Sequence, residues 1–116
     1  MKVLIEGFDQ FKAVELGLSV TDLVLLRCFL DYSIAGALEK RVIDGNDYFL
    51  VSYDYVLQEL PILKISKKTL YRCFKELVDK GVLTHAFVQD GGSYSFYGYG
   101  EKFHLLIGGT YGKDKD

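Results

Sequence analysis

Between Ser66 and Tyr99 the hydrophobic period of this chain changes once, and that change leaves few folds open. "SKKTLYRCFKELVDKG" sets Leu70, Cys73/Phe74 and Leu77 at the three- and four-residue spacing of a helical stripe, with Ser66 as cap and Gly81 as stop. "VLTHAFV" and "SYSFYGY" then read as strands joined by "QDGG", a turn where glycine tolerates positive φ. An amphipathic helix therefore runs directly into a β-hairpin. Alternation in the second strand puts Tyr94 and Phe96 on one face and Ser95, Tyr97 and Tyr99 on the other. Tyr97 and Tyr99 are expected to close the core behind the helix, leaving Tyr94 and Phe96 partly exposed. Gly91 and Gly92 are expected to make the turn, and Gly98 and Gly100 to loosen the exit from the second strand.

Upstream, "VLI" reads as a short strand and "FDQFKAVELG" as a helix over 8–16, with Phe8, Phe11, Val14 and Leu16 near helical spacing. "SVTDLVLLRCFLDYSIAG" is a stronger helix. Ser19 is its N-cap, Asp22 gives an acidic variant of the capping box, and Gly36 ends it. It is apolar on most sides, which marks it as central. "EKRVIDGNDYFLVS" reads as two extended stretches around the Asp44–Asp47 turn. "SYDYVLQELP" is a helix over 52–60, capped by Ser52 and stopped by Pro61. "GEKFHLLIGG" reads as a last short helix. A chain of 116 residues is one domain by size. We expect it to span 1–108, with 109–116 a frayed tail or the start of a linker.

The order of elements predicts an α+β fold of winged helix-turn-helix type, mainly helical, with a small antiparallel β-hairpin as wing. Helix 52–60, a turn containing Pro61 and helix 66–80 form the helix-turn-helix. A helix that reads DNA must be apolar on one face to dock on its own domain and basic on the other to enter the major groove.

Charge points to the same helix. The net charge is −2, yet residues 64–80 carry six bases against two acids while residues 1–63 carry five bases and ten acids. A local basic field steers a polyanion even when the whole chain is acidic. The bland alternative is a solvated face. Against it, the island is unique in the chain and its lysines oppose the helix dipole at the first turn, a cost that an anionic partner removes. Lys67, Lys68, Arg72 and Lys75 are the expected phosphate and base contacts. Lys64 and Thr69 stand beside them, and Gln89 and Ser93 at the wing tip are expected near the flanking groove or backbone. Tyr71 reads as a packing residue. A base-stacking platform in "DGGSYSFYGYG" would need a basic groove, and that stretch has no base before Lys102.

Other chemistry is not supported. Cys28 and Cys73 fall within helices and read as small, reduced hydrophobes. His85 and His104 lack partners at metal-ligand spacing. "DGND" lacks the rest of a calcium loop, "GYGEK" is no phosphate loop, and no serine has a recognisable histidine partner. We therefore expect no metal, no cofactor and no enzyme. No apolar run approaches membrane-spanning length, and the apolar run before Glu6 is too short for a signal-peptide core. A cytoplasmic location is expected.

From Tyr48 to Ile107 the text resembles the N-terminal domain of replication proteins from phages and plasmids of Gram-positive bacteria. The residues that carry it are "YFLVSYDYVLQELPIL", "SKKTLYRCFKELVDKGVL" and "GGSYSFY", and "AVELGLSVTDLVLLRCFLDY" also fits. Such replisome organisers or helicase loaders have a winged-helix DNA-binding domain and are similar in plan to DnaD-like initiators. The resemblance implies binding of origin double-stranded DNA, self-association and contact with other replication proteins such as a helicase or its loader, with any loading region C-terminal. A transcriptional or plasmid-partition regulator, and a winged helix used for protein contact, are the alternatives. The apolar helix 8–16 adds the expectation of a homodimer.

Overall fold

The structure is a computed structural model, described for residues 1–107. The expected tail at 109–116 lies outside the described residues. The fold is α+β with antiparallel sheets. Its elements run β1 (Leu4–Ile5), β2 (Phe8–Asp9), α1 (Gln10–Glu15), α2 (Val20–Ala35), β3 (Lys40–Ile43) and β4 (Asn46–Leu50). After these come α3 (Tyr53–Glu59), a 3-10 turn (Pro61–Leu63), α4 (Lys67–Asp79), β5 (Leu83–Gln89) and β6 (Ser93–Tyr99). A helical segment, 103–107, follows. Among the described residues no helix is long and apolar enough to cross a membrane.

The caps explain the helix starts. The side chains of Ser19, Ser52 and Ser66 each accept a backbone N–H three residues on. At α2 the box is reciprocal: Asp22 N–H donates to Ser19 Oγ at 3.1 Å and Ser19 N–H donates to the Asp22 carboxylate at 2.8 Å. Asp22 is buried although Ser19 is exposed, so the box gives a carboxylate largely shielded from solvent its hydrogen-bond partner. Ser19→Ala is expected to cost about 1 kcal/mol and lower the melting temperature by about 4 °C in a calorimetric scan.

The N-terminus departs from expectation. Phe8 and Asp9 belong to a strand, because Glu6 and Gly7 adopt left-handed φ of 52° and 81° and fold β1 and β2 into a two-residue hairpin. The helix expected over 8–16 begins at Gln10, with Asp9 as its cap. That shifts its buried face to Ala13, leaving Phe11 and Val14 60% and 66% exposed.

The strands expected to form a small hairpin are part of something larger. β5 and β6 join β3 and β4 in one sheet of order β3-β4-β6-β5, through the pairs Phe49–Tyr97 and Leu50–Phe96. The β3–β4 turn is Asp44–Gly45, with φ of 51° and 80°, so Asn46 already begins β4. One face of the sheet meets the helices, where Tyr97 packs on Phe74 and Tyr99 on Phe29 and Phe103. Phe96, expected partly exposed, is only 1% exposed on the other face. Arg41 of β3 lies over its ring at 5.0 Å from the centroid and covers it. Tyr94 remains exposed as expected.

The glycines of the hairpin divide differently as well. Only Gly91 of the Gly91–Gly92 pair takes positive φ. Gly98 and Gly100 are sites of close approach rather than slack: an added Cβ would stand 2.8 Å from the Asp47 carbonyl oxygen at Gly98 and 2.2 Å from that of Gly81 at Gly100.

Candidate nucleic-acid interface

Three aromatic rings fix α4 against its neighbours. Tyr53 of α3 meets Phe74 of α4 edge-on at 6.0 Å, and Phe74 meets Tyr97 of β6 at 4.8 Å. The Tyr53 and Tyr97 hydroxyls close the triangle at 2.6 Å. Burial, with the Tyr53 bond second, pushes the Tyr97 phenol well above its ordinary range, so it remains a neutral hydrogen-bonding group. The α3–α4 angle and the α4–hairpin angle are thus set by the same contacts, with Leu70, Phe74 and Leu77 as the buried stripe.

The rest of the α4 surface is divided. Lys68 and Arg72 point away from the buried stripe, both are exposed, and among the described residues neither forms an ion pair. Lys64, the left-handed residue (φ 52°) that ends the 3-10 turn, is likewise exposed and without an acidic partner. Lys67 and Lys75 are exposed but paired, with Asp54 at 3.3 Å and Asp79 at 3.1 Å. Such pairs contribute at most about 1 kcal/mol each, so a phosphate displaces either carboxylate at small cost. Thr69 is half-buried, and its hydroxyl already accepts from Ser66 Oγ at 3.1 Å. Lys80, counted in the basic segment, is directed elsewhere: its ammonium donates to the Gly17 carbonyl at 2.8 Å, in the turn after α1.

The structure brings Gln89 and Ser93 together as an exposed cross-strand pair at the hairpin tip. Register puts them on the sheet face that carries Tyr97, together with His85 and Phe87. The expected residues therefore form two groups, a cationic face on α4 and a neutral tip on the hairpin. Sequence reasoning passed over the residues between the groups. Phe87 is 59% exposed in the middle of β5. His85 stacks on Tyr97 at 4.7 Å and 30°, with its Nε2 3.1 Å from Ser95 Oγ. Burial pushes the His85 imidazole below the usual histidine range, which keeps it neutral at neutral pH. Tyr71 packs edge-on against Tyr53 at 5.9 Å, as expected of a packing residue, yet stays half-exposed beside Lys75. The alternation His85, Phe87, Gln89 is visible in the sequence, but only the pairing with β6 shows which side of β5 it lies on.

Both cysteines are free and half-buried, and burial raises both thiols, the opposite of an activated nucleophile. Among the described residues no group of three or more His, Cys, Asp or Glu side chains is placed to hold a metal ion. Searches against protein-family models, curated proteins and solved structures give no match.

Proposed function

We propose that this chain is a winged helix-turn-helix domain that binds double-stranded DNA, with α4 in the major groove and the β5–β6 hairpin as the wing alongside it. The observation that carries the reading is the cationic face of Lys68 and Arg72 on α4, with Lys64 in the turn just before it, all three unpaired among the described residues, on a helix docked by its opposite side and followed directly by the hairpin. Lys67 and Lys75 flank it and add phosphate contacts by exchanging their carboxylates. The hairpin tip contributes Gln89 and Ser93, hydrogen-bonding groups without charge. The resemblance to phage and plasmid replication proteins gives the role: the site is a replication origin, with a helicase or its loader as a further partner. Fluorescence anisotropy with duplex DNA at increasing salt tests the binding. The expected slope of log K against log salt is about −0.9 per contacted phosphate, so about −4.5 for these five cations. A flat or absent response sinks the reading. Footprinting on DNA flanking the coding sequence separates iterated origin sites from a single promoter operator.

A second observation bears on assembly. Phe11 and Val14 project from α1 with more than half their surface in solvent. Covering them against a second copy fits a protein that binds repeated sites. Sedimentation is expected to show a dimer at tens of micromolar (about the range where weak interfaces populate), and Phe11→Ser to return it to monomer. A monomer for the unaltered chain removes self-association while leaving DNA binding untouched.

A further inference from the structure

Resting on the DNA-binding reading, the structure assigns a second contact to the β5 side of the hairpin: we infer that Phe87, with His85 and Tyr71, holds an unpaired base at the edge of the bound duplex. The protein then prefers a duplex that continues into single strand over one that is blunt.

Three observations carry this. The first is exposure. Phe87 stands in mid-strand, not at the tip, and still presents 59% of its surface to solvent. It lies on the face that carries Tyr97, where every larger neighbour is packed. Together with the exposed His85 it leaves two neighbouring rings open beside the packed Tyr97, a surface that a flat partner can cover. The second is the neighbourhood. His85 lies 6.5 Å from Phe87 between ring centroids, and the next ring down is Tyr97, stacked on His85. Tyr71, Lys75, Val78, His85 and Tyr97 line a shallow open cleft between α4 and the hairpin. Aromatic faces next to a cation are the chemistry that takes a base by stacking and its phosphate by charge.

The third is what the hairpin lacks. From Leu83 to Tyr99 its one ionisable charge at neutral pH is Asp90, since His85 is held neutral. A wing that tracks phosphates needs lysine or arginine. This one offers a ring, an imidazole and the Gln89 and Ser93 polar groups, which suit bases and bring no charge to the backbone. Phosphates lie instead under α4, where Arg72 and Lys75 supply the charge. A base reaches the cleft only when it is out of its pair, because a stacked base inside a duplex hides both faces. Fully paired DNA therefore engages α4 and the hairpin tip, and an adjoining single strand engages the Phe87 surface as well.

The test uses the whole chain and three probes: a blunt duplex, the same duplex with a single-stranded extension, and the extension alone. A 2-aminopurine at the first unpaired position reports stacking. The extended duplex is expected to bind about tenfold more tightly than the blunt one, with quenching of the 2-aminopurine on binding. Phe87→Ala is expected to lower affinity for the extended duplex to that of the blunt one and abolish the quenching, with blunt-duplex affinity unchanged. Phe87→Trp is expected to retain both. Equal affinity of the unaltered chain for blunt and extended duplex overturns the inference and leaves the DNA-binding reading standing. So does a preference that survives Phe87→Ala. Failure to bind any of the three probes overturns the reading and the inference together.

Discussion

Replacing Lys68 and Arg72 together by alanine is expected to weaken duplex binding by about ten- to a hundredfold at low salt and to make the salt slope about two units less steep. The two effects have one origin. Each residue releases roughly one counterion by neutralising one phosphate, so their loss appears in both the constant and its salt dependence. Neither side chain is packed or ion-paired, so the fold loses nothing. The first turn of α4 contains no acid, and Lys68 there opposes the helix dipole. The variant is thus expected to melt at the same temperature as the parent or slightly above it. Lys67→Ala and Lys75→Ala are the useful comparison. Each already holds an aspartate that binding must displace, so each is expected to weaken binding by less than the loss of Lys68 or Arg72. Unchanged anisotropy for the Lys68/Arg72 pair, with melting also unchanged, moves the binding surface away from α4.

The contrast among these lysines marks where sequence reasoning stops. Caps and stops are local chemistry, and Ser19, Ser52, Ser66, Gly36 and Gly81 all stand where the sequence puts them. The helical stripe of α4 is equally local, since three and four residues suffice to define it. What a cation pairs with is not local. Lys67 meets Asp54 across the α3–α4 turn and Lys80 reaches the Gly17 carbonyl, and no count of charge in a window contains either fact. Faces of strands share the difficulty. Alternation separates Phe96 from Tyr97 but does not say which side is covered, and here both are, one by Phe74 and the other by Arg41. At the N-terminus, Phe8 and Phe11 imitate helical spacing across a strand–helix boundary. The Glu6–Gly7 turn, a short-range signal, outweighs that spacing. The α4 half of the candidate site was therefore legible from period and charge. Its aromatic half on β5 needed the register.

Gly100→Ala is expected to destabilise the fold by about 3 kcal/mol or more, lowering the melting temperature by roughly 10 °C. Gly100 follows β6 where the chain turns across the α4–β5 connection. Its N–H donates to the Val82 carbonyl at 2.9 Å, and Lys102 N–H donates to the Gly81 carbonyl at 3.0 Å. Two backbones thus touch without side chains between them. An alanine Cβ would lie 2.2 Å from the Gly81 carbonyl oxygen, 2.7 Å from the Gly81 carbonyl carbon and 2.9 Å from that of Val82. No rotamer relieves a contact with backbone. The end of β6 must move away from the turn after α4, breaking both hydrogen bonds and loosening Leu83 and Leu106, which are buried beside it. Gly92→Ala is the control within the same hairpin. There the added methyl meets the Tyr94 hydroxyl at 3.0 Å, the far end of an exposed side chain, and φ is not positive. That variant is expected to stay within about 0.5 kcal/mol of the parent. Because the β6 exit also holds the hairpin at its angle to α4, Gly100→Ala is expected to lose the preference for extended duplex at temperatures well below its own melting point. Equal melting of the two glycine variants would mean that β6 does not leave the sheet across Gly81, and the α4–hairpin geometry would have to be redrawn.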